Sequence, residues 1–205
     1  MNIKHLIVIL LVLMGLTIFS SALSYSEARA DTPLPSAEML SNTCAGCHGD
    51  KGSSLGPASP SIAGISKDYF LETMTAYQAG ERPATIMTRI AKGYTEKELK
   101  LMADYFSHQP FVRHPQEHDT RQANLGKKLH KKYCEKCHED GGRSAEDDAG
   151  ILAGQWEPYL RFTLEDFTSG KRSMEKKMKK RMDKLAEEHG PQGLEALIHF
   201  YASQQ

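Results

Sequence analysis

The chain has 205 residues and equal numbers of basic and acidic side chains, 26 of each, for a net charge of 0 at pH 7. That balance argues against non-specific binding to nucleic acid, which depends on a basic excess. The four cysteines fall in two close pairs, a spacing that structural disulfides do not favour.

Residues 1–30 read as a secretory signal peptide. Lys4 gives a positive start, Ile7 to Phe19 is almost wholly apolar, and Ala28-Arg29-Ala30 is a small-x-small cleavage site. The apolar run of about 13 residues is short of the ~20 that span a bilayer. Cleavage is therefore expected over a retained anchor, and no membrane span remains after it. The mature chain then begins at Asp31 and holds 175 residues, room for one large domain or two small ones.

The first chemical motif is Cys44-Ala45-Gly46-Cys47-His48. C-x-x-C-H is the attachment pattern of c-type heme. Two thiols three positions apart lie on one side of a helical turn, from which both vinyl groups of one porphyrin are within reach. The imidazole of His48, next in sequence, can bind the iron. Downstream, Ser66 can cap a helix whose inner face is Tyr69, Phe70, Thr73, Met74 and Tyr77, with Gly80 as its stop. After the Gly80-Glu81-Arg82-Pro83 turn comes Met87, the expected second axial ligand of the first iron. Met74 is the alternative, but it sits on an apolar helix face, where methionine is more often core. Thr95 and Glu98 form a capping box. Leu99, Met102, Ala103 and Phe106 follow it at helical spacing.

His108 to Thr120 holds Pro110, Pro115 and three histidines and reads as a linker. His108, His114 and His118 are expected to be solvated rather than to bind a metal. Beyond it stands the second motif, Cys134-Glu135-Lys136-Cys137-His138, offset from the first by 90 residues. The offset places Ile62-Ala63-Gly64 on Leu152-Ala153-Gly154, Tyr69 on Tyr159, Gly80 on Gly170 and Arg82 on Arg172. This is a duplicated domain, too long in period for a solenoid, and a heme in each copy adds apolar core that so small a domain lacks. Strict register from Met87 lands on Lys177, so one inserted residue gives Met178 as ligand of the second iron. Met182 and Leu185 follow Met178 at the spacing of Ala91 and Tyr94 after Met87. Met174 is the runner-up. Pro191 opens a last helix with Leu194, Leu197, Ile198 and Tyr201 on its inner face.

Other readings of the cysteines fit less well. A thioredoxin-like pair requires neither the histidine nor its recurrence. A four-cysteine zinc site would leave both histidines idle. Histidine with methionine raises the potential of a heme and leaves the iron no open position, which favours electron transfer over catalysis.

The run Cys44 to Gly49, with Gly56-Pro57 and Ile62-Ala63-Gly64, resembles the diheme class I cytochromes of bacterial periplasms. The segments Thr85 to Tyr94, Leu152-Ala153-Gly154-Gln155-Trp156, Met174 to Met178 and Phe200 to Gln205 resemble one branch, the cytochrome subunit of flavocytochrome c sulfide dehydrogenase. The resemblance covers essentially the whole mature chain. It implies an all-α fold of two tandem class I cytochrome c domains, 31–109 and 121–205, joined by the linker 110–120. It also implies a periplasmic location, two covalently bound heme c groups and a partner flavoprotein whose FAD oxidises sulfide. Electrons would pass through the hemes to a small soluble cytochrome c, and the chain would not be catalytic by itself. A free-standing diheme carrier feeding a terminal oxidase is the alternative. A diheme peroxidase ranks last, because both copies offer a distal methionine. The residues themselves show no sulfide chemistry, having no spare cysteine and no Gly-rich dinucleotide fingerprint.

Acid–acetone extraction of the denatured protein should leave both hemes on the chain. Mass spectrometry should give a chain from Asp31 plus two hemes, and a mass with one heme or none contradicts the reading of the two motifs.

Overall fold

The capping residues set the helix boundaries. A computed structural model describes residues 33–146 and 149–205, with no strand among them. The chain divides into Met1–Pro35 and Ser36–Gln205. The expected signal peptide lies outside the described residues, and every helix below belongs to the second unit. Helix α1 is Ala37–Asn42, capped by Ser36, and α2 is the single turn Ala45–His48 with Cys44 at its N-cap. Helix α3, Lys67–Ala79, starts where the Ser66 hydroxyl accepts the Tyr69 amide and stops at Gly80 in the left-handed region. Then come α4, Met87–Ala91, and α5, Glu96–Ser107, which begins with the Thr95 and Glu98 capping box formed as expected.

The second copy holds α6, Thr120–Tyr133, α7, Glu157–Thr168, and α8, Lys176–Ala202. The helix expected to open at Pro191 is continuous with an earlier one, across a break at Gly190 with φ 58°. Proline has no amide hydrogen to donate and fits a first helical turn, so the chain departs from helical geometry just before it.

The duplication is written in backbone hydrogen bonds. The amides of Ile62 and Ala63 both donate to the Gly52 carbonyl, at 2.8 and 3.2 Å, and those of Leu152 and Ala153 both donate to Gly142, each at 2.9 Å. The Arg82 amide donates to Ala76 as Arg172 does to Asp166. The Gly64 amide donates to the Phe106 carbonyl, and that of Gly154 to Tyr201. The last pair is offset by 95 rather than 90, so the second copy gains five residues after Arg172, where the first half of α8 lies.

Each copy packs its own core. Leu40, Phe70, Met74, Leu99, Met102 and Phe106 fill the first, and Leu129, Leu160, Met182, Leu185, Leu197 and Tyr201 the second. Ile151, from the second copy, is buried in the first cluster. Where the copies meet, Gln155 is 3% exposed. Its side chain accepts the Ser61 amide at 2.9 Å and donates to the Ser61 carbonyl at 3.0 Å. Trp156 Nε1 donates to the Ser54 carbonyl at 3.1 Å, and a Cβ on Gly56 would lie 2.6 Å from its ring. Arg82, 6% exposed, donates to the Thr73 hydroxyl at 2.8 Å and to that of Tyr159 at 2.9 Å.

The linker is more engaged than its composition suggests. His114 stacks on Trp156 at 5.8 Å. Gln116 donates to the Gln155 carbonyl at 3.1 Å and accepts the Glu157 amide at 2.8 Å. The expectation that all three histidines are solvated therefore fails for His114, because a flat ring from the second copy offers it a stacking surface. No cluster of three or more metal-binding side chains occurs among the described residues.

Helices α6 and α8 cross so closely that a Cβ on Gly126 would sit 1.9 Å from the Ala196 carbonyl oxygen. Gly126→Ala should therefore cost about 1–3 kcal/mol, read as a lowered midpoint in chemical denaturation.

Candidate heme-attachment sites

In α2 the amides of Cys47 and His48 both donate to the Cys44 carbonyl, at 3.2 and 2.9 Å. Cys137 and His138 repeat this on Cys134, at 3.1 and 2.9 Å. One turn thus presents two thiols and an imidazole in each copy. All four thiols are free, the first of each pair half-buried and the second exposed. Burial raises the Cys44 thiol and pushes Cys134 up to about 11. A thioredoxin-like pair needs the reverse, a first cysteine that ionises easily.

His48 Nδ1 stands 2.8 Å from the Pro60 carbonyl. A carbonyl only accepts, so Nδ1 carries the hydrogen and Nε2 keeps its lone pair for a metal. Burial holds the His48 pKa below the ordinary value, opposed by the bond to Pro60. His138 goes further, down to about 4, chiefly through burial, with the nearby charge of His130 adding to it. Its Nδ1 is buried without a hydrogen-bond partner, although the backbone of Gly150, counterpart of Pro60, still favours the protonated ring. Both rings are held neutral at pH 7, the form that ligates metal. Paired free thiols beside such an imidazole fit a covalently attached heme in each copy.

Met87 is the first residue of α4 and packs half-buried on the first core. Met74 is fully inside that core, as a packing residue would be. The Met87 segment is tied down: Gln78 Nε2 donates to the carbonyls of Ala91 at 3.0 Å and Tyr94 at 2.9 Å. The Tyr94 and Thr43 hydroxyls share a hydrogen bond at 2.6 Å, one residue from Cys44. In the second copy Met174 and Met178 both pack half-buried on the core. Met178 lies in the first turn of α8, where the Glu175 carboxylate accepts the amides of Lys177 and Met178 at 2.7 and 3.3 Å. Thr168, the counterpart of Gln78, spends its hydroxyl on Leu164 in its own helix.

Sequence reasoning overlooked His130, 2% exposed and four residues before Cys134. Its Nε2 donates to the Glu135 carboxylate at 2.6 Å, and the neutral ring's Nδ1 accepts from the Tyr201 hydroxyl at 3.0 Å. The signal was a mismatch in the repeat, since the first copy has the buried Leu40 at this place.

No family model matches the chain. The cytochrome subunit of sulfide dehydrogenase from Chlorobaculum tepidum is 46% identical over 69 residues, which are 34% of this chain and 62% of that protein. The chain thus spans less than two thirds of that relative. Cytochrome c-554(548) from Halomonas halodenitrificans is 36% identical over 70 residues, 33% of this chain and 84% of that protein. Reduced recombinant cytochrome c4 from Pseudomonas stutzeri matches in structure with a TM-score of 0.69 at 26% identity, over 84% of this chain and 100% of that one. That likeness runs through both copies, onto a fold of two tandem class I cytochrome c domains. The attachment turn recurs in each copy at the offset the backbone hydrogen bonds keep. The chain belongs to the diheme c-type cytochromes.

Proposed function

We propose that the chain is a periplasmic electron carrier and, more narrowly, the electron-accepting subunit of a sulfide-oxidising flavocytochrome c whose FAD lies in a separate subunit. The observation that carries the narrower reading is the 46% identical stretch shared with a sulfide dehydrogenase cytochrome subunit. In this reading Cys44 and Cys47 hold the first heme, with His48 and Met87 on its iron. Cys134 and Cys137 hold the second, with His138 and Met178. Each bound heme supplies a one-electron iron couple, raised in potential by histidine and methionine together.

The chain's own residues do the positioning. Pro60 orients the His48 ring, Gln78 holds the Met87 segment, and the Gln155 to Ser61 amide pair fixes one copy against the other. The mature chain is read as exported, and among the described residues no helix is long and apolar enough to cross a membrane. A free-standing diheme carrier feeding a terminal oxidase is the second reading, favoured by the likeness to cytochrome c4 over 84% of the chain. Purification from the native host separates the two. A flavin subunit should accompany the chain, and sulfide should reduce its hemes only when that subunit is present. Hemes isolated without flavin leave the free carrier.

The axial ligands have their own test. Met87→Ala should abolish the weak far-red charge-transfer band of methionine on ferric heme for one heme only, and Met178→Ala for the other. If Met174→Ala removes the second signal while Met178→Ala spares it, the ligand is Met174.

Gln78→Ala leaves the buried Ala91 carbonyl short of a donor and should cost about 1–2 kcal/mol. The Met87 band should then fade at a lower temperature than in the wild type, while Thr168→Ala leaves the second copy's band unmoved.

A further inference from the structure

The segment that leads into and opens α8 is strongly basic. Between Lys171 and Lys184 eight side chains are basic, and only Glu175 and Asp183 oppose them. Lys176, Lys177, Lys179, Lys180, Arg181 and Lys184 are all exposed. Met178, Met182 and Leu185 pack on the second core, so the cations line the outward side of the helix. Lys179 pairs with Asp183 at 2.8 Å. Lys184 stands 3.6 Å from Glu188, which Lys132 already engages at 2.5 Å. Lys176, Lys177, Lys180 and Arg181 make no ion pair among the described residues.

Like charges therefore stand four residues apart at Lys176 and Lys180, Lys177 and Arg181, and Lys180 and Lys184. Each such pair destabilises a helix, so the run works against the stability of its own element. At the 90-residue offset the first copy's stretch 81–94 has three cations, Arg82, Arg89 and Lys92, against Glu81. The basic face also lies at the second site. Met178 is in the same helical turn as Lys176 and Lys177.

We propose that this face docks an acidic redox protein, and that electrons leave the chain through the second copy. The proposal rests on the electron-carrier reading. The step is an electron transfer alone: the second copy loses one electron, the acceptor gains it, and no bond or proton moves. The cations draw the acidic partner to the surface under which Met178 lies. Such steering raises association rates by ~10 to 10³ and fades as salt is added.

The test uses the diheme protein, reduced, with plastocyanin as an acidic acceptor. Lys176, Lys177 and Lys180 are changed together to Gln. A control changes Lys127, Lys128 and Lys131 to Gln, which removes the same charge from the exposed side of α6. The α8 variant should associate about tenfold more slowly at low ionic strength, converging with the wild type at high salt, while the α6 variant stays close to wild type throughout. Carbodiimide cross-links between lysines and plastocyanin carboxylates, mapped by mass spectrometry, should fall on Lys176, Lys177 and Lys180. Equal rates for the α8 variant and wild type at low salt overturn the proposal. So does equal slowing in the α6 variant, which would mean that net charge alone matters, and so do cross-links confined to other lysines. Reduction by dithionite and reoxidation by ferricyanide should be complete in all three proteins. A wild type that fails this cycle counts against the carrier reading itself rather than against docking.

Discussion

In each copy a single carbonyl oxygen, that of Gly52 or Gly142, accepts two backbone amides from the loop ten residues downstream. Both of its lone pairs are spent on one short segment. This fastening decides where everything else in the copy goes. It brings the loop back over the attachment turn, so that the Pro60 carbonyl meets His48 and the Gly64 amide meets the end of the last helix. Only glycine serves at the acceptor position in the first copy. Gly52 has φ 82°, and a Cβ there would lie 2.9 Å from both the Ile62 side chain and the Phe106 ring. The Cys-x-x-Cys-His turn is thus positioned by a main-chain clasp, and the side chains around it are free to differ between copies.

They do differ, most of all in how the methionine segments are held. The first is tied by directional bonds from Gln78 and by the Tyr94 to Thr43 pair. The second belongs to a long helix whose inward residues Met182 and Leu185 are buried. Hydrogen bonds to buried carbonyls fix a position sharply, because a small displacement leaves the acceptor unpaired. Apolar burial is non-directional and tolerates small shifts along the helix axis. The two methionine segments therefore differ in how stiffly they are held.

What could be read in the sequence was what is encoded locally. The Ser66 cap, the Thr95 and Glu98 box and the Gly80 stop each depend on residues within one turn of each other, and each formed as expected. The 90-residue repeat was legible because it preserves backbone requirements such as the positive φ of Gly64 and Gly154. The polar contacts between the copies were not legible. Gln155 and Ser61 are 94 residues apart, and nothing periodic marks either of them. His114 looked like a solvated linker residue because its partner, Trp156, is distant in sequence. The choice between Met174 and Met178 stays a matter of pattern, since both pack on the same core and the inserted residues fall around them.

The contacts between the copies are one-sided. At the repeat offset, Gln155 corresponds to Ile65 and Trp156 to Ser66. Ile65 is a buried core residue and Ser66 a helix cap, so neither can return the contacts that Gln155 and Trp156 make. Two first copies placed together would leave the Ser61 amide and carbonyl unmatched, and a symmetric pair of single domains could not form this junction. The order of the two modules along the chain is therefore a physical property rather than an accident of fusion. Exchange of halves between related proteins would succeed only where Gln155 and Trp156 travel with the second module and Ser54, Gly56 and Ser61 with the first.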